Sequence, residues 1–266
     1  MHWAAAEASR RHASLRVVAC PAVPPAEGQH RPAARRYEGL SGAVGALRRR
    51  YPDVSIEARS TYPHPPKSLL EGTSCADLLI VGTLSAATDR GWLLGSDLGM
   101  AARRSSCPVI VVRGRQQQPL RRILVGVDGS NASSAALAWA VDEADCHDAE
   151  VTVVHAWQQA GGPGRAMRRG DLDRADAQCM LDLVVRQAEK RSNRTVRGEL
   201  IEGEAIAVLT ASSEKADLLA VGSRGRSGFR TMLFGSAALF LAQHASCPVA
   251  VIHPRVQSHD PGPPLA

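Results

Sequence analysis

Residues Trp3-Ala-Ala-Ala-Glu7-Ala8 recur 136 positions later as Trp139-Ala-Val-Asp-Glu143-Ala144. The same offset carries Leu15, Val17 and Val18 onto Val151, Val153 and Val154. Further along, Ala76-Asp77-Leu78-Leu79-Ile80-Val81-Gly82 returns as Ala216-Asp217-Leu218-Leu219-Ala220-Val221-Gly222, and Cys107-Pro108-Val109 as Cys247-Pro248-Val249, both at an offset of 140. A sustained period of this kind means two copies of one unit. The four-residue drift belongs in a connection, where insertions are tolerated. The copies start unequally: Met1 aligns with Leu137, so the first has no counterpart of residues 123–136.

The second copy sets the fold expectation. Apolar runs at 122–127, 151–156, 195–201, 217–222 and 249–252 read as strands. Helical patterns at 132–145, 172–191, 205–213 and 236–244 separate them, and a Gly/Arg segment at 161–170 reads as a lid. Strands alternating with helices demand a parallel sheet covered on both faces. The expected organisation is a truncated repeat over 1–114, a linker at 115–119, a complete repeat over 120–254 and a disordered, proline-containing tail at 255–266. The short apolar strands beginning at Val109 and Val249 carry no charge to protect an exposed edge, so they are expected to pair or pack between the copies.

Two segments of the second copy carry the chemistry. One is Gly222-Ser-Arg224-Gly225, then nine residues, then Gly235-Ser236 at a helix start. Glycine lets a backbone approach phosphate closely, and a helix start offers free N–H groups with a positive dipole end. A valine at Gly222 is expected to block that approach without unfolding the chain. The loop adds Arg224 and Arg226 but has no lysine followed by Ser or Thr, so it is not a P-loop. The other is Arg122-Ile-Leu-Val-Gly126-Val127-Asp128-Gly129-Ser130, a strand running into an acidic turn, with Ser130 or Asn131 able to cap the next helix. A parallel sheet would turn Asp128 toward the glycine loop across one crevice.

With these segments paired, the chain resembles the universal stress protein family in its ATP-binding branch. His155-Ala156-Trp157 after the second strand, Tyr51-Pro52-Asp53-Val54 before a third, and Cys-Pro-Val before the last strand extend the likeness over nearly the whole chain. The resemblance implies two Rossmann-like repeats, each with a sheet of order 3-2-1-4-5, the first lacking its central strand 1. It implies ATP as ligand, with Mg or Mn as candidate counter-ion. Gly222, Gly225, Gly235 and Ser236 would hold the phosphates, with Val221 and Ala237 beside them and Arg224 supplying charge. Asp128 would hold a ribose hydroxyl or a metal-bound water after Gly126, while Val127 and Ala156 would border adenine. The family has a second hydroxyl two positions after Ser236; this chain has Ala238. In the first copy Ser85 replaces the middle glycine and Asp97 follows Gly95-Ser96, so that copy is not expected to bind. Its missing strand has two readings: translation begins upstream of Met1, the one preferred here, or the first half leans on the second.

Each residue also has a plainer reading: Asp128 as a turn former, Arg224 as a solvated cation, His155 and Trp157 as packing. Composition narrows the function classes. The net charge of +6 rests on arginine, since lysine occurs only at 67, 190 and 215. Arg48-Arg49-Arg50 reads as a solvated helix end, and no nucleic-acid motif accompanies it. Six scattered cysteines without a C-x-x-C pair indicate neither zinc nor a disulfide framework. No apolar run approaches the ~20 residues of a membrane span, so neither membrane nor nucleic acid is expected as a partner, and the cytoplasm is the expected compartment. The leading expectation is a regulatory nucleotide-binding stress protein that acts through a protein partner and self-associates through its last strands, with no catalytic or metal-ligating residue assigned. A nucleotide-free scaffold and a slow ATPase are the alternatives; against the latter, no general base or catalytic lysine accompanies the loop.

Overall fold

The computed structural model describes residues 1–19, 31–60, 73, 75–82, 105–113, 119–158, 174–225 and 235–254. The lid at 161–170, the tail at 255–266, most of the linker and the first copy's loop through Ser85, Gly95 and Asp97 lie outside them. In chain order the elements are α1 (His2–Arg10), β1 (Leu15–Ala19), α2 (Arg31–Arg50), β2 (Ile56–Ser60), β3 (Leu79–Gly82) and β4 (Val109–Val112) in the first copy. The second has β5 (Arg122–Gly126), α3 (Asn131–His147), β6 (Glu150–Trp157), α4 (Arg174–Glu189), β7 (Val196–Glu202), α5 (Ala205–Ser212), β8 (Leu218–Gly222), α6 (Ser236–His244) and β9 (Val249–Ile252).

One seven-stranded sheet runs β3-β4-β9-β8-β5-β6-β7. Its last five strands are all parallel and are the order 3-2-1-4-5 of a complete repeat. Along each central strand alternate residues serve opposite faces. Ile123, Val125, Leu218, Ala220, Ala250 and Ile252 pack toward α3 and α4; Leu124, Leu219, Val221, Val249 and Val251 pack toward α5 and α6. The apolar runs are continuous because both faces are covered.

The last strands of the two copies pair with each other. Val109 lies opposite Val251 and Val111 opposite Val249 in an antiparallel ladder, so two apolar edges satisfy each other inside one chain. Arg113 reinforces the joint by donating to the Gln243 carbonyl near the end of α6.

The first copy is divided. β1 and β2 form a separate parallel pair, while β3 and β4 belong to the large sheet. The position between β1 and β3, held by β5 in the second copy, has no strand among the described residues. β1, β2 and the two helices that cover them enclose a small core of Ala5, Ala8, Val44, Leu47, Val54 and Ile56.

A charged quartet, buried but for the half-buried Arg11 that ends α1, ties that unit to α3 of the second copy. Arg11 donates to Glu7 at 2.6 Å and to both oxygens of Glu143, one of them at 2.6 Å. His147 Nε2 lies 3.1 Å from Glu7 and 3.4 Å from Glu143. Glu7 aligns with Glu143 and Arg11 with His147, so the contacts cross like those of a two-fold dimer. Burial alone would raise the Glu7 carboxyl, but His147 and Arg11 outweigh it and bring it from 4.5 to about 2. Burial opposes charge on His147 as well, yet Glu143 and Glu7 hold its pKa above the ordinary value. Leu120 N–H donates to His147 Nδ1 at 3.3 Å, a bond that the doubly protonated ring must give up.

Candidate functional site

β5 and β8 are neighbours in the centre of the sheet, and the connections leave them toward opposite edges, β5 to β6 and β8 to β9. The carboxyl ends of strands at such a switch point open a crevice. Gly126-Val127-Asp128 leaves β5 there, and Gly222-Ser223-Arg224-Gly225 leaves β8.

The acidic turn is tightly specified. Asp128 Oδ1 accepts Ser130 N–H at 3.0 Å, and the Ser130 hydroxyl caps α3 by accepting Ser133 N–H at 3.2 Å. Ser133 Oγ in turn accepts Asp128 N–H at 3.3 Å. Gly129 takes a positive φ of 77° with Met180 of α4 beside it, which is why this turn needs glycine. His155 is buried, with Nδ1 2.7 Å from the Val127 carbonyl. A carbonyl only accepts, so Nδ1 carries the hydrogen. His155 therefore braces the turn; the half-buried Trp157 ends the same strand. The Val127 side chain is in the core, and its N–H donates to Val154.

The glycine loop folds back on the start of α6. Ser223 N–H donates to Ile252 O at 2.8 Å, and Gly235 N–H donates to Ser223 O at 2.7 Å, bringing Gly235 against Arg224 and Gly225. Gly235 caps α6 without a side-chain hydrogen bond, so the first-turn N–H groups at Ser236, Ala237 and Ala238 receive no cap from it. Arg224 and Ser236 are exposed. Ser223 Oγ is buried without a hydrogen-bond partner among the described residues.

The two segments meet. A side chain built on Gly225 would stand 2.8 Å from Asp128 Oδ2, so the carboxylate lies against the bare glycine backbone. The Ser130 hydroxyl reaches the Arg224 carbonyl at 3.5 Å. Val221 and Ala156 border this region from the core on the α5 and α6 face. Ala238 is 3% exposed within that core, so a hydroxyl there would face apolar neighbours.

Gly222 answers to a different demand from the one its sequence context suggests. A Cβ there would come within 2.6 Å of the Ala132 backbone, so its bareness lets α3 start hard against β8. Valine at this position would displace the helix, which corrects the expectation of a substitution that spares the fold. Gly126 is likewise crowded by Leu209 of α5.

The quartet escaped the sequence reading, although the repeat alignment already matched Glu7 with Glu143 and, at the same offset, Arg11 with His147. Glu7, Glu143 and His147 offer ligand atoms within 4.8 Å of one another. Arg11 already engages both carboxylates, and His147 Nε2 lies within ion-pair distance of each, so the set is held together as an ion-pair cluster, although Glu7 Oε2 and His147 Nε2 make no hydrogen bond among the described residues. Among the described residues the cysteines at 75, 107, 146, 179 and 247 form no disulfide. Among the described residues no helix is long and apolar enough to cross a membrane.

Comparison with known proteins fits this architecture. The universal stress protein family model matches residues 1–113 and again 119–253. A universal stress protein of Mycobacterium tuberculosis H37Rv is 33% identical over 199 residues, covering 69% of this chain and 64% of that protein. The match thus spans under two thirds of that relative's length. One from Mycolicibacterium smegmatis is 27% identical over 271 residues, covering 96% of this chain and 92% of the relative. Among solved structures, a universal stress protein of Archaeoglobus fulgidus superposes over 95% of this chain and 90% of its own, with a TM-score of 0.65 at 18% identity. A putative universal stress protein of Pseudomonas aeruginosa covers 93% and 95%, with a TM-score of 0.61 at 18% identity. Two tandem matches to one family, on a fold with that family's strand order, make this chain a member of the universal stress protein family.

Proposed function

We propose that the second repeat binds an adenine nucleotide, ATP foremost, and that occupancy biases association with a protein partner. The observation that carries this reading is the apposition of Asp128 to Gly225 beside an α6 start whose N-cap residue, Gly235, has no side chain to cap it. The donor set suits the ligand. Bare backbone at Gly225 and Gly235, the first-turn N–H groups of Ser236 and Ala237, the Ser236 hydroxyl and Arg224 all favour phosphate. The unpartnered Ser223 hydroxyl is a further polar group beside the loop. A carboxylate would repel phosphate, so Asp128 serves a ribose hydroxyl, or Mg or Mn through its water. The half-buried Ala156 supplies apolar surface for the base. The described groups are backbone N–H donors, hydroxyls, an arginine and one turn-bound carboxylate, which suit holding a nucleotide, so the reading is of a binding module.

Equilibrium dialysis with ATP, with and without Mg, tests the proposal. The expected result is one equivalent per chain, with affinity reduced about ten-fold or more in Asp128→Ala while its melting curve stays cooperative. Affinity unchanged in Asp128→Ala, or no saturable binding by the parent protein, would defeat it.

A further inference from the structure

β6 outlasts β5 at the carboxyl end of the sheet. The register of β5 on β6 ends with Gly126 opposite Val154, whereas β6 runs on to Trp157 and stays paired with β7 through His155, Ala156 and Trp157. The chain from β5 leaves the sheet at Val127 and climbs toward α3. Alternation along β6 puts His155 on the same face as Val151 and Val153, whose core lies toward α3 and α4. The buried ring thus stands beneath the path that carries Val127 into the acidic turn.

The bond it makes there has a particular target. The Val127 carbonyl and the Asp128 N–H belong to one planar peptide unit. His155 Nδ1–H donates to that carbonyl at 2.7 Å, and the Asp128 N–H donates to Ser133 Oγ at 3.3 Å. One end of the plane is held by β6 and the other by α3. The preceding peptide is held as well, since Val127 N–H donates to Val154 O at 2.9 Å. Two fixed planes place the Cα of Asp128, and the Ser130 N–H on Oδ1 at 3.0 Å then orients the carboxylate. Oδ2 comes to face Gly225, 2.8 Å from where a Cβ on that glycine would stand.

The imidazole is not a general requirement of this strand position, because its equivalent on β1 is Ala19. A buried ring N–H costs free energy unless it is bonded. An apolar side chain would fill the space without that demand, so what distinguishes histidine here is the donor it offers to one carbonyl.

We propose that His155 is a positioning residue of the nucleotide site: its Nδ1–H orients the peptide that carries Asp128 and so sets what the Asp128 carboxylate contributes to holding the ligand. The role rests on the nucleotide reading of the crevice. His155 acts through Asp128 and not on the ligand.

A double-substitution cycle on the full chain, read by equilibrium dialysis with Mg-ATP, tests it. In the parent chain Asp128→Ala is expected to raise Kd about ten-fold. His155→Leu keeps the bulk and removes the donor. It should raise Kd about five-fold or more, and adding Asp128→Ala to it should then change Kd by less than about two-fold. His155→Asn puts an amide N–H where Nδ1 stood, so it should bind within about two-fold of the parent and restore the full cost of Asp128→Ala. A ring that only fills space would leave the Asp128 effect intact in His155→Leu. Long-range proton–nitrogen NMR spectra of the parent chain give a check that needs no variant, since the His155 ring hydrogen must sit on Nδ1. Additive losses, equal losses in His155→Leu and His155→Asn, or a ring with its hydrogen on Nε2 alone would each overturn the role while nucleotide binding stands. No saturable binding by the parent chain would instead overturn the nucleotide reading, and this role with it.

Discussion

The segment from Asp77 to Gly82 and the segment from Asp217 to Gly222 share five of six residues, and they live in different worlds. In the second copy the strand is flanked on both sides, its leading aspartate receives two backbone N–H groups and a guanidinium, and its terminal glycine lies against a helix. In the first copy the aspartate is exposed, and among the described residues the strand has one neighbour and nothing lies within 4 Å of a side chain built on the glycine. Nearly identical sequence thus carries structural weight in one place and little in the other. Burial belongs to the neighbourhood that the rest of the chain assembles around a segment.

Paired substitutions break or sharpen this contrast. The largest effect is expected at the quartet, where equivalent positions carry a permanent cation in one copy and a titratable one in the other. Arg11→Met leaves two buried carboxylates with only His147 and should cost about 3–5 kcal/mol in urea unfolding. His147→Gln removes the weaker partner and should cost about 1–2 kcal/mol. Equal costs would mean that the quartet is not organised around the guanidinium. Next comes the glycine pair: Gly222→Val should destabilise by about 3 kcal/mol through collision with Ala132, while Gly82→Val should change stability by less than about 0.5 kcal/mol. Comparable losses would show that the open surroundings of Gly82 are wrongly described.

The aspartates follow. Asp217→Ala strands the N–H groups of Arg121 and Arg122 and should cost about 2 kcal/mol. Asp77→Ala should be neutral within about 0.5 kcal/mol, and a penalty matching that of Asp217→Ala would contradict its exposure. The smallest effect is the alkaline limb of the pH dependence at the quartet. Glu7 is lowered on folding, so its contribution is complete above 4.5 and is lost as pH falls toward about 2. His147 is raised, so its contribution is complete below 6.5 and is lost as pH rises through its folded value. Their joint contribution is therefore greatest between pH 4.5 and 6.5. On the alkaline side the change should be small, since protonation sacrifices the Leu120 bond. Denaturant midpoints across pH in the parent and His147→Gln check this, and an alkaline limb unaltered by the substitution would remove His147 from the account.

Much of the second copy was legible in sequence because local pattern and global fold agree there. The helix of α6 and the strand of β9 fall at the expected bounds, and Asp128 faces the glycine loop because parallel topology leaves it no other direction. Ser130 caps α3 as its chemistry suggests. What escaped depends on partners distant in the chain. Gly222 reads from its neighbours as a phosphate contact, yet Ala132, ninety residues earlier, sets its size limit. His155 stands at a strand end with no local hint that its ring reaches the carbonyl of Val127. Glu7 and Arg11 look like an ordinary i, i+4 pair until α3 brings a second such pair against them. The division of the first copy follows from the missing strand, but the separation of β1–β2 as its own pair becomes visible only in three dimensions.

The antiparallel ladder between Val109–Val112 and Val249–Ile252 has a further consequence. Two folded units that meet through such an edge as separate molecules would be governed by concentration, and dilution would part them. Here the same contact is intramolecular, so its effective concentration is set by the tether and not by how much protein is present. The pairing therefore persists at any expression level. It also removes a requirement for sameness: in a symmetric homodimer every substitution appears on both sides of the seam, whereas in this chain each side can change alone.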